Sequence, residues 1–224
     1  MTAPIVPAAL LADRPAEMLV VLGALALAPV AAVMLTSFLK MVVVLGIARS
    51  ALGAPQIPPS SAVTGFALAL TVLVMSPVAD EAISAARRVT PRPGVAGTVE
   101  LAQAASEPVR GFLARFSRVD DREVFLDLAR RARRPDARAE VGATDFAVLV
   151  PSFVVSELRR AFTTGFLVFL PFLVVDLLVA NVLLALGLSQ MSPTAVALPF
   201  KLLLFVAVDG WKLLARGLVL GYLA

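Results

Sequence analysis

Asp176, Asn181, Lys201 and Asp209 are the residues whose types and setting could do chemistry in this chain. They sit in two long apolar runs joined by a short Ser/Pro turn, in and around VLLALGLSQMSPTAVALPFKLLLFVAVDG, residues 182–210. A charged side chain in such surroundings costs on the order of 2.5 to 3.5 kcal/mol on insertion scales, so it faces a partner or a water-lined interior. Two carboxylates and an ammonium could form a proton or ion relay, a structural ion pair, or the dyad of an intramembrane aspartyl protease. At 1.5 Å per residue from the turn at Ser189 to Pro193, Asn181 lies about 10 Å below it, Lys201 about 12 Å, Asp176 about 18 Å and Asp209 about 24 Å. Lys201 is therefore level with Asn181 and near Asp176. An unpaired ammonium there is too costly, which predicts a pair with Asp176 in the same hairpin or with a carboxylate of a neighbouring subunit. Asp176 and Asp209 are offset by about 6 Å, which argues against a facing dyad. The four residues read first as a structural polar network.

Composition narrows the classes further. Apolar residues make up 59% of the 224 residues and the mean hydropathy is +0.91, more than a soluble domain carries. The chain has no cysteine and no histidine, so disulfides, thiolate metal sites, histidine-ligated zinc and Ser–His hydrolysis are excluded. The net charge of +4 does not indicate nucleic acid. Residues 80–160 hold 14 Arg against 6 Asp and 6 Glu, with the signs interspersed as in Asp120, Asp121, Arg122 and Glu123. That pattern is a solvated helical surface rather than a phosphate-binding stripe. No nucleophile–base constellation or cofactor loop is present, and Gly94 to Gly97 is too short to cradle a phosphate. The reading is a non-enzymatic protein without a cofactor.

The elements that position these residues follow from the hydropathy. The fold class is an all-α membrane protein of two long apolar hairpins, four hydrophobic helices in all, with an inserted polar helical segment. The expected divisions are a tail at 1–17, a first hairpin at 18–79, the polar segment at 80–157 and a second hairpin with its C-terminal tail at 158–224. The first apolar run extends from Met18 to about Ala48, and because Pro29 removes one backbone hydrogen bond and Lys40 places a charge near the far end, it reads as a kinked or two-part helix ending around Arg49 to Gly53. No convincing signal peptide precedes it, since Asp13 and Arg14 replace a positive n-region. The prolines of APQIPPS form a stiff turn, and the second helix occupies Ala62 to Ala79. In the polar segment, Val109, Phe112, Leu113 and Phe116 recur at helical spacing, and a second amphipathic helix carries Val124, Phe125 and Leu128 and stops before Pro135. Glu157, Arg159 and Arg160 divide the next apolar stretch, so the third helix is placed at Phe162 to Leu188 and the fourth at Thr194 to Leu214.

Several stretches, in order, resemble one family. TSFLKMVVVLGIARSALGAPQIPPS and GFALALTVLVMSPV in the first hairpin, EPVRGFLARFSR in the middle, and PSFVVSELRRAFTTGF through ALPFKLLLFVAVDGW in the second are similar to the FliP/SctR (YscR/HrcR-like) proteins of the bacterial type III secretion export apparatus. The Ser192-Pro193-Thr194 sequence resembles the branch in virulence injectisomes more than the flagellar one. The resemblance implies a core pore-forming subunit: a homopentameric ring in the inner membrane that conducts unfolded secreted proteins. It implies a small two-helix partner (SctS/FliQ-like), an SctT/FliR-like subunit and an SctU/FlhB-like switch protein. It places the assembled hairpins and the polar segment toward the periplasmic side. In the family the turn between the third and fourth helices is a methionine-rich constriction, which implies a gate at Leu188, Ser189, Gln190 and Met191; Met191 is the one methionine there, and flexible thioethers suit a yielding seal. The alternative is a small secondary transporter or ion channel using the intramembrane Asp and Lys residues, although the two hairpins show no inverted repeat. Orientation does not follow from charge, because the polar segment exceeds the length over which the positive-inside rule operates.

Overall fold

The computed structural model describes residues 15–54, 57–92 and 94–223. The expected N-terminal tail, apart from Pro15 to Glu17, lies outside them, as does the reading of its first residues as lacking a signal peptide. All regular structure among the described residues is helical: α1 (Pro15–Met34), α2 (Phe38–Ala51), α3 (Ser60–Arg88), α4 (Val95–Phe116), α5 (Val119–Arg131), a 3-10 turn (Pro135–Glu140), α6 (Phe146–Ala185), α7 (Pro193–Ala207) and α8 (Gly210–Leu223). Helices α3 and α6 are long and apolar enough to cross a membrane, and the bent pair α1–α2 makes a third candidate.

The first apolar run breaks at Leu35 to Ser37, not at Pro29, and its two parts meet at 62°. Pro29 stays inside α1. The difference comes from Thr36, whose hydroxyl donates to the carbonyl of Ala32 and accepts from the backbone N–H of Phe38 at 3.2 Å. A side chain that bonds the local backbone in this way competes with the helix ladder. Helix α3 runs past the expected end at Ala79 to Arg88, where Arg87 and Arg88 face the negative end of its dipole.

Helix α6 is continuous for 40 residues, so the expected division at Glu157, Arg159 and Arg160 does not occur and the expected segment boundary at 157/158 falls inside the helix. These charges find partners on neighbouring helices, described below, and the backbone has no cause to leave the helix. The helix ends where Leu188 N–H bonds Leu183 O at 2.9 Å and Gly187 N–H bonds Leu184 O at 3.0 Å. This is a Schellman closure, and it places Gly187 at φ +71°, a conformation that favours glycine. The fourth apolar run, expected unbroken from Thr194 to Leu214, divides at Val208 and Asp209 into α7 and α8. Asp209 takes φ +51°, and a Cβ on Gly210 would stand 2.2 Å from the Phe205 ring, so the chain turns sharply here.

Helix α2 is the centre of the core. Met41, Val44, Leu45 and Ala48 are fully buried, among Val63, Ala67 and Leu70 of α3, Phe112 and Leu113 of α4, Leu149, Phe153 and Ala161 of α6, and Leu214 and Leu218 of α8. At Gly165 the approach of α6 to α2 is so close that a Cβ would lie 2.4 Å from Ile47 Cδ1. Helix α4 buries Phe112, Leu113 and Phe116 as its periodicity predicts. Helix α5 does not bury its apolar stripe: Val124 and Leu128 are exposed, and its one buried residue is Asp121. Outside the core, α3, α6 and α7 expose Val72, Phe166, Leu178 and Leu203 among many large apolar side chains. A lone chain in water does not present such faces, whereas lipid or neighbouring proteins would cover them.

Candidate functional site

Three places gather the polar groups set inside apolar helices. The first joins the two hairpins. Lys201 of α7 is 3% exposed, and its Nζ lies 2.6 Å from Asp176 Oδ2 of α6. The same ammonium donates to the carbonyl of Ala51 at 3.2 Å, in the last turn of α2, where unpaired carbonyls concentrate negative charge. One side chain thus ties α7 to α6 and to the end of α2. Of the two partners the sequence leaves open for Lys201, the one in its own hairpin is in place. Asp176 Oδ1 is buried with no partner among the described residues.

Asn181 and Asp209 do not join this pair, and this corrects the expectation of a four-residue buried network. Asn181 is on an exposed face of α6. Asp209 is exposed at the α7–α8 break and faces Lys212 at 3.5 Å. The depth count assumed an unbroken helix through Asp209; the turn at that residue carries its carboxylate out of the apolar run.

The second place is a buried cluster that sequence reasoning missed. Glu157 of α6 is fully buried. Its Oε1 accepts from Arg160 at 2.8 Å and its Oε2 accepts from the Tyr222 hydroxyl of α8. Arg160 also donates to the carbonyl of Phe116 at 2.7 Å, at the end of α4. Lys40 of α2, 6% exposed, has its Nζ 4.2 Å from the centre of the Tyr222 ring, a cation–π contact. One residue earlier, Ser156 donates to Asp121 Oδ2 at 2.6 Å and accepts from the Arg118 N–H at 2.9 Å; Arg159 lies 3.7 Å from the other Asp121 oxygen. The run Ser156-Glu157-Leu158-Arg159-Arg160 therefore fastens α4, α5 and α8 onto α6, and Lys40 brings α2 against the same tyrosine. A buried carboxylate is tolerated where charges and donors surround it, and removing one partner is strongly destabilising. The signal in the sequence was the charge itself in an apolar run; its partners lie too far along the chain to be read from spacing.

The third place is the tip between α6 and α7. Leu188, Ser189, Gln190 and Met191 are all exposed, displayed beyond the Schellman closure of α6, with the next helix beginning at Pro193. None of them contributes to the core, so they are free to meet something outside the chain.

Asp176 and Asp209 pair with different cations, Lys201 and Lys212, and among the described residues no group of three or more potential metal-ligating acidic side chains occurs.

Residues 21–218 match the FliP family. The chain is 46% identical to "Pathogenicity-related ORF2" of Xanthomonas campestris pv. glycines, over 92% of this chain and 95% of that protein. It is 42% identical to "Hypersensitivity response secretion protein HrcR" of Ralstonia nicotianae, over 92% and 97%. It is 41% identical to "Flagellar biosynthetic protein FliP" of Caulobacter vibrioides, over 93% of this chain and 77% of that one. The match takes in both hairpins, the Ser156–Arg160 run, Asp176, the α6–α7 turn and Lys201, and the chain belongs to the FliP family.

Proposed function

We propose that this chain is the core pore-forming subunit of a type III secretion export gate. Five copies form a ring that conducts unfolded protein substrates across the bacterial inner membrane, and Leu188, Ser189, Gln190 and Met191 form its constriction. The observation that carries this reading is the family match from residue 21 to residue 218, which takes in all or part of every helix of the architecture. The relative from Ralstonia is named a secretion protein, which supports the role. The geometry supports it in two ways. Exposed apolar faces on α3, α6 and α7 call for neighbouring proteins, in keeping with further copies and with SctS/FliQ-like, SctT/FliR-like and SctU/FlhB-like partners. The hairpin tip carries exposed, uncharged residues with one flexible thioether, which suits a seal that yields to varied polypeptide. The protein works without a cofactor and without catalysis of its own, and its polar segment faces the periplasmic side. A transporter would use Asp176, Asn181, Lys201 and Asp209 together, and Asp209 is instead engaged with Lys212 on the surface.

The chain has no cysteine, so a single cysteine at Met191 gives a clean crosslinking probe. In cells secreting a substrate stalled by a folded C-terminal fusion, Met191→Cys should crosslink to the substrate, and Arg133→Cys on the polar segment should not. Equal crosslinking at both positions, or none at Met191, contradicts the assignment of the constriction.

A further inference from the structure

The outer part of the α6–α7 hairpin, residues 173–204, buries Leu183, Ala197 and Lys201 and no other side chain. Leu183 and Ala197 are not part of the apolar core around α2. Lys201 does reach that helix: its Nζ donates to the carbonyl of Ala51 at 3.2 Å while it pairs with Asp176 at 2.6 Å. The last carbonyls of a helix have no partner within it. An ammonium carries three donors, enough for a carbonyl and a carboxylate at once.

The turn that follows α2 comes against α7 in the same place. A Cβ on Gly53 would stand 3.6 Å from Lys201 Nζ and 3.6 Å from Thr194 Cγ2, and Gly53 takes φ +76°, a conformation that favours glycine. Thr194 follows closely on Met191 in the chain. The end of α2 therefore meets α7 at two points, Thr194 beside the tip and Lys201 further along the helix. About 12 Å of helix separates Lys201 from Pro193, so a tilt of about 10° at Lys201 displaces the tip by about 2 Å. We infer that Lys201 is a positioning residue for the constriction: its bond to the Ala51 carbonyl holds α7 on the turn at Gly53 and so sets where Leu188 to Met191 stand. The inference rests on the export-gate reading and adds to it a residue outside the tip.

The test separates position from stability. Lys201→Met combined with Asp176→Leu leaves no unpaired carboxylate, yet it takes the ammonium away from the Ala51 carbonyl. The chain has no cysteine, and a disulfide needs Cα atoms within about 7 Å of one another, so oxidation of Met191→Cys in the membrane complex assembled with its partner subunits reads how closely the tips of neighbouring copies approach. Disulfide-linked copies should form with Lys201 in place. In the double variant their yield should fall about threefold or more for an equal amount of assembled complex on a native gel. Thr194→Trp, a change at an exposed position, wedges α7 off the same turn without touching the ion pair and should lower the yield as well. Linking undiminished in the double variant, or in Thr194→Trp where the double variant does not assemble, overturns the inference and leaves Lys201 a structural pair alone. Absence of linked copies with Lys201 in place overturns the export-gate reading, and the inference with it.

Discussion

The hydroxyl of Tyr222 donates to Glu157 Oε2 across 65 residues of chain, so the chain's one tyrosine fixes the far end of α8 against the buried carboxylate of α6. The near end of α8 is the sharp turn at Asp209, and the helix between buries Leu214 and Leu218. The contact sits over Lys40 and beside Arg160, so that three helices, α2, α6 and α8, meet at one phenol.

Tyr222→Phe removes the donor, keeps the ring over Lys40 and leaves one Glu157 oxygen unsatisfied. The expected cost is about 1–3 kcal/mol, the penalty for a buried acceptor that loses its partner. Thermal unfolding of the detergent-solubilised protein checks this. In a double-mutant cycle with Glu157→Gln the two losses should not add, because both act on one interaction; additive losses would mean that the hydroxyl contributes nothing through Glu157.

Lys201→Met leaves the Asp176 carboxylate without its cation, with an expected loss of about 3–5 kcal/mol. Replacing both residues, Lys201→Met with Asp176→Leu, should recover most of that loss, short of the bond to the Ala51 carbonyl. The order of melting temperatures, wild type above the double variant and the double variant above the single, is the readout. A single variant as stable as the wild type would show that the pair contributes no stability.

Gly165→Ala places a methyl group against Ile47, with an expected cost of about 1–3 kcal/mol from overpacking. Ile47→Val opens space on the facing helix and should restore part of the stability in the combined variant. Equal stability of Gly165→Ala and wild type would show that α2 and α6 separate without cost.

The contrast between what was and was not legible in the sequence follows from distance along the chain and from local backbone competition. Lys201 and Asp176 are separated by one short turn, so counting residues down two adjacent helices brings them to similar levels. The same counting misplaced Asp209, since the rise per residue holds only while the helix lasts and the backbone leaves it at Val208. Pro29 looked like the break in the first run, yet a proline removes one hydrogen bond and can remain in a helix; Thr36 instead supplies its own backbone partners and ends it. The cluster of Glu157, Tyr222 and Lys40 is not legible, although its charges stand out in apolar runs, because three helices far apart in sequence must pack before those residues meet. The exposed stripe of Val124 and Leu128 was read only as amphipathic periodicity, which does not say which face turns inward.

The central claim is a pentameric export gate, and native mass spectrometry of the detergent-extracted protein tests it most directly, with the chain produced alone and then together with the neighbouring membrane proteins of its operon. The account predicts a species of about 118 kDa, five times 23.5 kDa, that grows by whole partner subunits on co-expression. A stable monomer or dimer that recruits no partner would contradict it.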